Sequence, residues 1–349
     1  MHIRCFQILE FRNYDTLSYT PSPRLNLLTG HNAQGKTNLL EGLAVLLTAR
    51  SFRTSRLADL PRWGAEAASL SGEVERAEGG RAIRRAIQRL EDGTWQATGE
   101  GIPWARVIVF GWHDLAILHG APAARRGFID GFAARLFSSH LPALLHYRRI
   151  VGRRNHLLQR RAAADVLAPW DEQLAEAGAE LIGRRRRAVA ALQTELQRVY
   201  PALSGERHKV EIGYSSTAGE AAEAPALLEA LARARAAELR RGLTLVGPHR
   251  DDLSIELDGV DARTFGSRGQ QRLLALALRL AEVLPVAEAA GTAPVLLLDD
   301  ALSELDPVVR ENVLHEIRTA EQVFLTSPDP LVVDGAARWV IEGGGIAAA

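Results

Sequence analysis

One octapeptide limits the folds open to this chain more than any other feature. Gly30, His31, Asn32, Ala33, Gln34, Gly35, Lys36 and Thr37 read G-x-x-x-x-G-K-[ST], a loop whose backbone N–H groups cradle phosphate oxygens. Such a loop works between a buried strand and a helix N-terminus, where unsatisfied amides and the helix dipole favour an anion. The flanks fit. Residues 25–29 (LNLLT) form an apolar run of strand type, and residues 39–49 carry apolar side chains at helical spacing. The motif predicts an α/β fold that binds a nucleoside triphosphate, with Lys36 on the β- and γ-phosphate oxygens and the Thr37 hydroxyl on Mg²⁺. Lys36 and Lys209 are the only lysines, and the other 40 basic residues are arginine. A lysine kept against that bias is expected to be needed as a lysine.

Two further stretches complete a hydrolytic pattern. Residues 294–300 (PVLLLDD) are an apolar strand ending in paired acids, the Walker B arrangement. Asp299 is expected to hold Mg²⁺, directly or through water. Asp300 sits where a general base for the attacking water belongs. Thirty-two positions before Asp299, Ser267, Arg268, Gly269 and Gln270 open a helix expected over residues 273–284. A hydroxyl, a glycine amide and a helix N-terminus together make an anion site. The same residues fit an ordinary helix capped by Ser267. The run resembles the signature motif of ATP-binding-cassette (ABC) ATPases, and Ser303, Glu304 and Asp306 resemble their D-loop.

The rest of the chain sets these motifs in order. Strand patterns at 2–12 and 106–110 precede a change of character at about residue 122. From 121 to 200 there are 14 arginines against 7 acidic residues, on apolar positions at helical spacing, and residues 218–241 also read as helical. Strand patterns return at 253–257, 294–298, 321–325 and 338–341, and the terminal GGGIAAA is expected to fray. The expected architecture is an α/β ABC-type P-loop ATPase head, lobe I, from residues 1–110 and 243–349. Residues 111–242 form an inserted, mainly helical, arginine-rich lobe II.

Net charge is zero over 349 residues, so any polyanion must meet a local patch. The single cysteine, Cys5, excludes an internal disulfide and a cysteine-based zinc site. No signal peptide and no run long enough to span a bilayer is read, so a cytoplasmic protein with no membrane partner is expected. Arg148, Arg149, Arg153 and Arg154 recur within two helical turns, and residues 184–187 are four arginines. Clustered guanidinium groups suit phosphate neutralisation, although they also suit a solvated helix face. A run of four wraps around its helix, so Arg184 and Arg187 stand as its candidates. His249, Asp251 and Asp252 read as a structured turn rather than a metal set.

Finer motifs narrow the class. Residues 11–14 (FRNY), the loop through GKTNLLEG, 50–54 (RSFRT), 125–130 (RRGFID), 153–158 (RRNHLL), 247–253 (GPHRDDL), SRGQQR and LLLDDALSELD occur in this order along the chain. As a set they resemble the RecF family of bacterial recombination mediators. The resemblance implies ATP-dependent homodimerisation, with the signature residues offered in trans to the partner's ATP. It implies binding of double-stranded DNA at gaps and junctions, and help in RecA loading together with RecR and RecO. It also implies weak, DNA-dependent ATP hydrolysis that releases the dimer, in DNA repair, replication restart and the SOS response.

Two positions depart from the pattern. Arg268 stands where the family often has glutamine. No histidine follows the strand after Walker B, where Thr326 or Ser327 could face the γ-phosphate instead. Alternatives remain at this point: a transporter's nucleotide-binding subunit, an SMC-like head, or an ATP-gated DNA clamp with negligible hydrolysis. The 263 positions between Lys36 and Asp299 are many for the first and few for the second.

Overall fold

The computed structural model describes residues 1–220 and 223–349. It divides into two compact units: Met1–Asp114, Val199–Glu206 and Arg272–Ala349 form the first, and Leu115–Arg198 with Arg207–Gln271 the second.

The first unit holds two sheets. One is antiparallel, in the order β2-β1-β4-β5-β6, from β1 (His2–Phe11), β2 (Tyr14–Tyr19), β4 (Ala67–Arg76), β5 (Gly79–Arg89) and β6 (Trp95–Thr98). The other runs β14-β13-β3-β12-β11-β7, from β3 (Leu25–Thr29), β7 (Val107–Phe110), β11 (Val295–Leu298), β12 (Gln322–Ser327), β13 (Ala337–Glu342) and β14 (Gly345–Ala348). In this sheet β3, β7, β11, β12 and β13 are parallel. Helix α1 (Lys36–Thr48) buries Leu39, Leu40, Leu43, Leu46 and Leu47 in one core with Phe6, Ile8 and Leu70 of the first sheet and Leu28, Leu297 and Phe324 of the second. The central strands of the second sheet are covered and therefore read as continuous apolar runs. Leu298 pairs with both Phe110 and Leu325, and Ser327 with Thr29. That register brings the carboxyl ends of β3, β7, β11 and β12 to one edge, where ligands of open α/β sheets bind.

The second unit is mainly helical. It contains α2 (Ala116–His119), α3 (Pro122–Leu136), α4 (His140–Gln159), α5 (Ala164–Ser204, as far as Arg198), α6 (Ala224–Arg241) and α7 (Ala262–Phe265). Its small sheet, β10-β9-β8, is built from β8 (Val210–Ser215), β9 (Asp252–Leu257) and β10 (Val260–Asp261). Leu144, Tyr147, Leu174, Leu181, Leu227 and Leu231 form its core. Helices α8 (Arg268–Leu280), α9 (Val283–Ala290) and α10 (Pro307–Ile317) lie along the return of the chain.

Several expectations change. The compact units do not follow the borders expected at 110/111 and 242/243. Ile255 of β9 pairs with Ile212 of β8, so residues 243–271 fold with the second unit. The chain's end does not fray, because Ile346 pairs with Ile341 across a two-stranded turn. Strands β4 to β6 answer to no pattern read in the sequence. The signature helix ends at Leu280, short of residue 284. The helical reading of 218–241 includes Ala221 and Ala222, which lie outside the described residues.

Candidate nucleotide site

The phosphate loop is shaped by what surrounds its glycines. Gly30 has φ +146°, and a Cβ there would lie 2.3 Å from the Ile341 carbonyl oxygen. Gly35 has φ +113°, and its Cβ would meet Asn13 Nδ2 at 2.6 Å and Tyr14 Oη at 2.9 Å. Both positions require the absent side chain as well as the positive φ. The Tyr14 hydroxyl donates to the Gly35 carbonyl (2.9 Å), Asn13 Nδ2 to the Gln34 carbonyl (3.1 Å), and the Gly343 N–H to Gln34 Oε1 (2.8 Å). Lys36 Nζ turns into the loop, donating to the Gly30 carbonyl and, at 2.9 Å, to that of His31. Burial holds its ammonium below the ordinary lysine value, while Asp299 and Asp300 oppose that shift. His31, Asn32 and Ala33 are exposed along the rim.

A buried carboxylate braces the loop from behind. Glu41, on α1, is fully buried and accepts Arg12 Nε and Nη2 (2.9 and 2.7 Å), Arg53 Nη1 (3.1 Å) and the Ser51 hydroxyl (2.5 Å). Arg53 also reaches Asn38 Oδ1 at 2.6 Å, and Asn38 Nδ2 reaches Asn13 Oδ1 at 2.7 Å. The FRNY and RSFRT runs therefore meet at the phosphate loop. The signal available in the sequence was a lone Glu among the leucines of α1.

Thr37, Asp299, Asp300 and Thr326 converge at the carboxyl edge of the sheet. The Thr37 hydroxyl lies 2.8 and 3.0 Å from the Asp299 carboxylate oxygens. Two ligands in cis positions on Mg²⁺ stand about 2.9 Å apart when each is about 2.05 Å from the ion. Two hard oxygens at that spacing suit a cation that keeps water and substrate phosphates as its other ligands. The Thr326 hydroxyl donates to Asp299 Oδ1 (2.9 Å) and accepts the Asp300 N–H (2.8 Å). The Ser327 hydroxyl donates to the Asp329 carbonyl at 2.9 Å. Both candidates for a γ-phosphate contact therefore have their protons committed here.

Burial raises the Asp300 carboxyl above the ordinary carboxylate range, against a Ser303 hydrogen bond and the Arg272 charge. A higher proton affinity suits a proton acceptor near neutral pH. These groups line a cavity of about 520 Å³ together with Asn32, Asn38, Arg53, Trp112, Arg272 and Pro328. Sequence reading gave no role to Arg53, Trp112 or Arg272.

The other expected residues lie as follows. In the second unit, Ser267 Oγ accepts the Gln270 N–H (3.2 Å) while Gln270 Oε1 accepts the Ser267 N–H (2.9 Å), a reciprocal capping box. Among the described residues the Ser267 hydroxyl only accepts, which leaves its proton available. Ser267, Arg268 and Gly269 are exposed, and open space faces Gly269. In the first unit, Ser303 meets Arg272 at 3.2 Å, Glu304 is exposed, and Asp306 caps α10 by accepting the Val308 and Val309 N–H groups.

The arginines separate by burial. Arg148, Arg149 and Arg153 are exposed on α4, a helix with no acidic residue. Arg154 is fully buried, donating to Asp171 (2.7 Å), Glu238 (2.6 Å) and the Thr244 hydroxyl (2.9 Å). It staples α4, α5 and α6 and is withdrawn as a DNA contact. Arg184 is engaged by Glu180 (2.5 Å) and the Ser139 carbonyl (3.3 Å), which weakens its candidacy. Arg187 is exposed, its guanidinium 4.8 Å from the Phe137 ring centre. His249, Asp251 and Asp252 share no centre. They bind Tyr147, Tyr214 with Thr217, and Arg125, respectively.

The fold and this loop define an ABC-type P-loop ATPase head with an inserted, mainly helical second lobe. No family model matches the chain. It is 39% identical over 346 residues to the DNA replication and repair protein RecF of Symbiobacterium thermophilum, covering 94% of this chain and 92% of that one. The chain belongs to the RecF family. A structure of the recombination mediator protein RecF with ATP, in the RecFOR pathway, superposes with a TM-score of 0.88 at 28% identity, covering 100% of this chain and 97% of that one. An SMC head bound to the C-terminal winged-helix domain of ScpA has a TM-score of 0.59 at 14% identity, over 100% and 97% of the two chains, a likeness of fold alone. Among the described residues no helix is long and apolar enough to cross a membrane.

Proposed function

We propose that this chain is an ATP- and Mg²⁺-dependent recombination mediator that dimerises on ATP and binds duplex DNA at gaps and junctions. It acts in the cytoplasm with RecR, and with RecO and RecA in the pathway, to help RecA load. The observation that carries the reading is the convergence of Lys36, Thr37, Asp299 and Asp300 on one cavity. Lys36 and the loop amides bind the phosphates. Thr37 and Asp299 hold Mg²⁺, which supplies charge neutralisation. Asp300 takes a proton from the attacking water, in a slow hydrolysis that releases the dimer. Ser267, Arg268, Gly269 and Gln270 meet the partner's ATP in trans, and Ser303, Glu304 and Asp306 lie at the same interface. Arg148, Arg149, Arg153 and Arg187 contact DNA phosphates, a mode that tolerates sequence.

Light scattering tests this, with and without ATP–Mg²⁺, using Asp300→Asn to slow hydrolysis and then adding gapped or blunt duplex. A dimer that forms only with ATP and then retains gapped DNA is expected. A monomer under all conditions overturns the dimer reading, and a dimer indifferent to DNA overturns the mediator reading.

A further inference from the structure

Arg272 lines the nucleotide cavity, yet no step above uses it. Its Nη2 donates to the main-chain carbonyl of Asp300 at 2.6 Å and to the Ser303 hydroxyl at 3.2 Å, and its Nη1 lies 3.9 Å from Glu304 Oε2. The side chain is 13% exposed, and its buried Nε meets no acceptor among the described residues. A guanidinium that leaves one donor unsatisfied is held by what the other donors grip. They grip an unusual peptide: Asp300 has φ +52°, in the left-handed region that few non-glycine residues adopt. Such a conformation persists only when its surroundings fix it. Three contacts do so. Thr326 accepts the Asp300 N–H, while the Asp300 carbonyl accepts Arg272 Nη2 at 2.6 Å and, more weakly at 3.4 Å, the Ser303 N–H.

We infer that Arg272 is a positioning residue for hydrolysis. It holds the peptide of Asp300 in the posture that turns the carboxylate to the cavity. The same guanidinium binds Ser303, so the base and the 303–306 loop are carried as one piece. The inference rests on Asp300 as the base. Misplacing a reacting group by about 1 Å costs on the order of 100-fold in rate, so loss of one anchor should slow chemistry without changing the phosphate loop.

The test uses the full chain, single-turnover hydrolysis of ATP–Mg²⁺, and titration with a fluorescent ATP analogue. Arg272→Met should lower the rate by about 10- to 100-fold while the nucleotide Kd moves by less than about threefold. Arg272→Lys, which keeps a donor for the carbonyl, should recover most of that loss. In an Asp300→Asn background Arg272→Met should cause no further slowing, because the two act as one unit. A purely structural role would slow both backgrounds alike and would shift Kd. Arg272→Met at wild-type rate overturns this inference alone. Asp300→Asn at wild-type rate removes the base and this inference with it. Should Arg272→Met fail to fold, Arg272→Lys is compared with Arg272→Gln: Lys faster by about tenfold supports the role, and equal rates overturn it.

Discussion

Thr37 Oγ stands 2.8 and 3.0 Å from the two carboxylate oxygens of Asp299, although 262 positions separate the residues. This contact spans the place proposed for Mg²⁺, so the metal should compete with a hydrogen bond rather than enter a blank space. Magnesium should tighten ATP binding in the wild type and have little effect in Asp299→Asn. A titration of fluorescent ATP with Mg²⁺ or with EDTA measures both. Full enhancement by Mg²⁺ in Asp299→Asn would remove Asp299 from the metal site.

Lys36 should not accept replacement by arginine. Its Nζ fits between the Gly30 and His31 carbonyls in a nearly buried position, where a compact ammonium fits and a planar fork does not. Lys36→Arg should weaken ATP binding at least about tenfold, equivalent to about 1.4 kcal/mol. Unchanged binding and turnover in that variant would sink this account of the loop.

Glu41→Gln tests the brace behind the phosphate loop. It removes the charge that Arg12, Arg53 and Ser51 share. Because Arg53 is 37% exposed, solvent discounts part of the loss. A cost of about 2 kcal/mol is expected, a fall in Tm of about 4–8 °C for a unit of this size, with weaker ATP binding alongside. A thermal melt with no shift would show that the loop stands without its brace.

The α4 arginines should divide by assay. Arg149→Ala with Arg153→Ala should leave the melt unchanged and reduce the salt dependence of DNA binding by about one unit of slope per lost phosphate contact. Arg154→Ala should instead destabilise the second unit by about 3–5 kcal/mol, because it takes the guanidinium from the fully buried Glu238, while Asp171 keeps Arg235. An unaltered salt slope in the double variant would move the DNA surface elsewhere.

Mild acid should loosen the second unit through His249. Its Nδ1 meets the Tyr147 hydroxyl at 2.7 Å and its Nε2 the Thr244 carbonyl at 3.0 Å. The Thr244 carbonyl requires a proton on Nε2, and the Tyr147 hydroxyl can donate to a neutral Nδ1. Burial holds its pKa below the ordinary 6.5, with Arg250 and Arg126 adding to the shift against the Thr244 bond and Asp251. The unfolded chain therefore takes up a proton first. Stability is complete above about pH 6.5 and is lost as pH falls through the lower folded value. Melts of wild type and His249→Gln from pH 8 to 5 should converge at acid pH; parallel curves would exclude this histidine.

The legible part of the site lay in short local patterns. The phosphate loop and the strand into Asp299 each carry strong periodicity beside a charged or glycine signal, and each lies where the pattern placed it. Residues 67–98 do not read as strands, because Gly72 of β4 and the buried Arg85 of β5 occupy inward positions and interrupt the apolar alternation there. Arg149 and Arg154 look alike in a sequence. Only the distant Asp171 and Glu238 reveal that one is a staple. Glu41, Arg53 and Arg272 act through partners far along the chain or through main-chain carbonyls, which no local spacing encodes.

The left-handed peptide at Asp300 also favours a short acid there. Aspartate and asparagine enter that torsional region more readily than longer side chains. Asparagine at 300 should thus silence the base while leaving its posture alone. Glutamate, though chemically similar, would have to gain its extra reach against the backbone. The length of the base and the handedness of one peptide are thus linked, and a longer acid at 300 would meet a torsional cost that aspartate largely avoids.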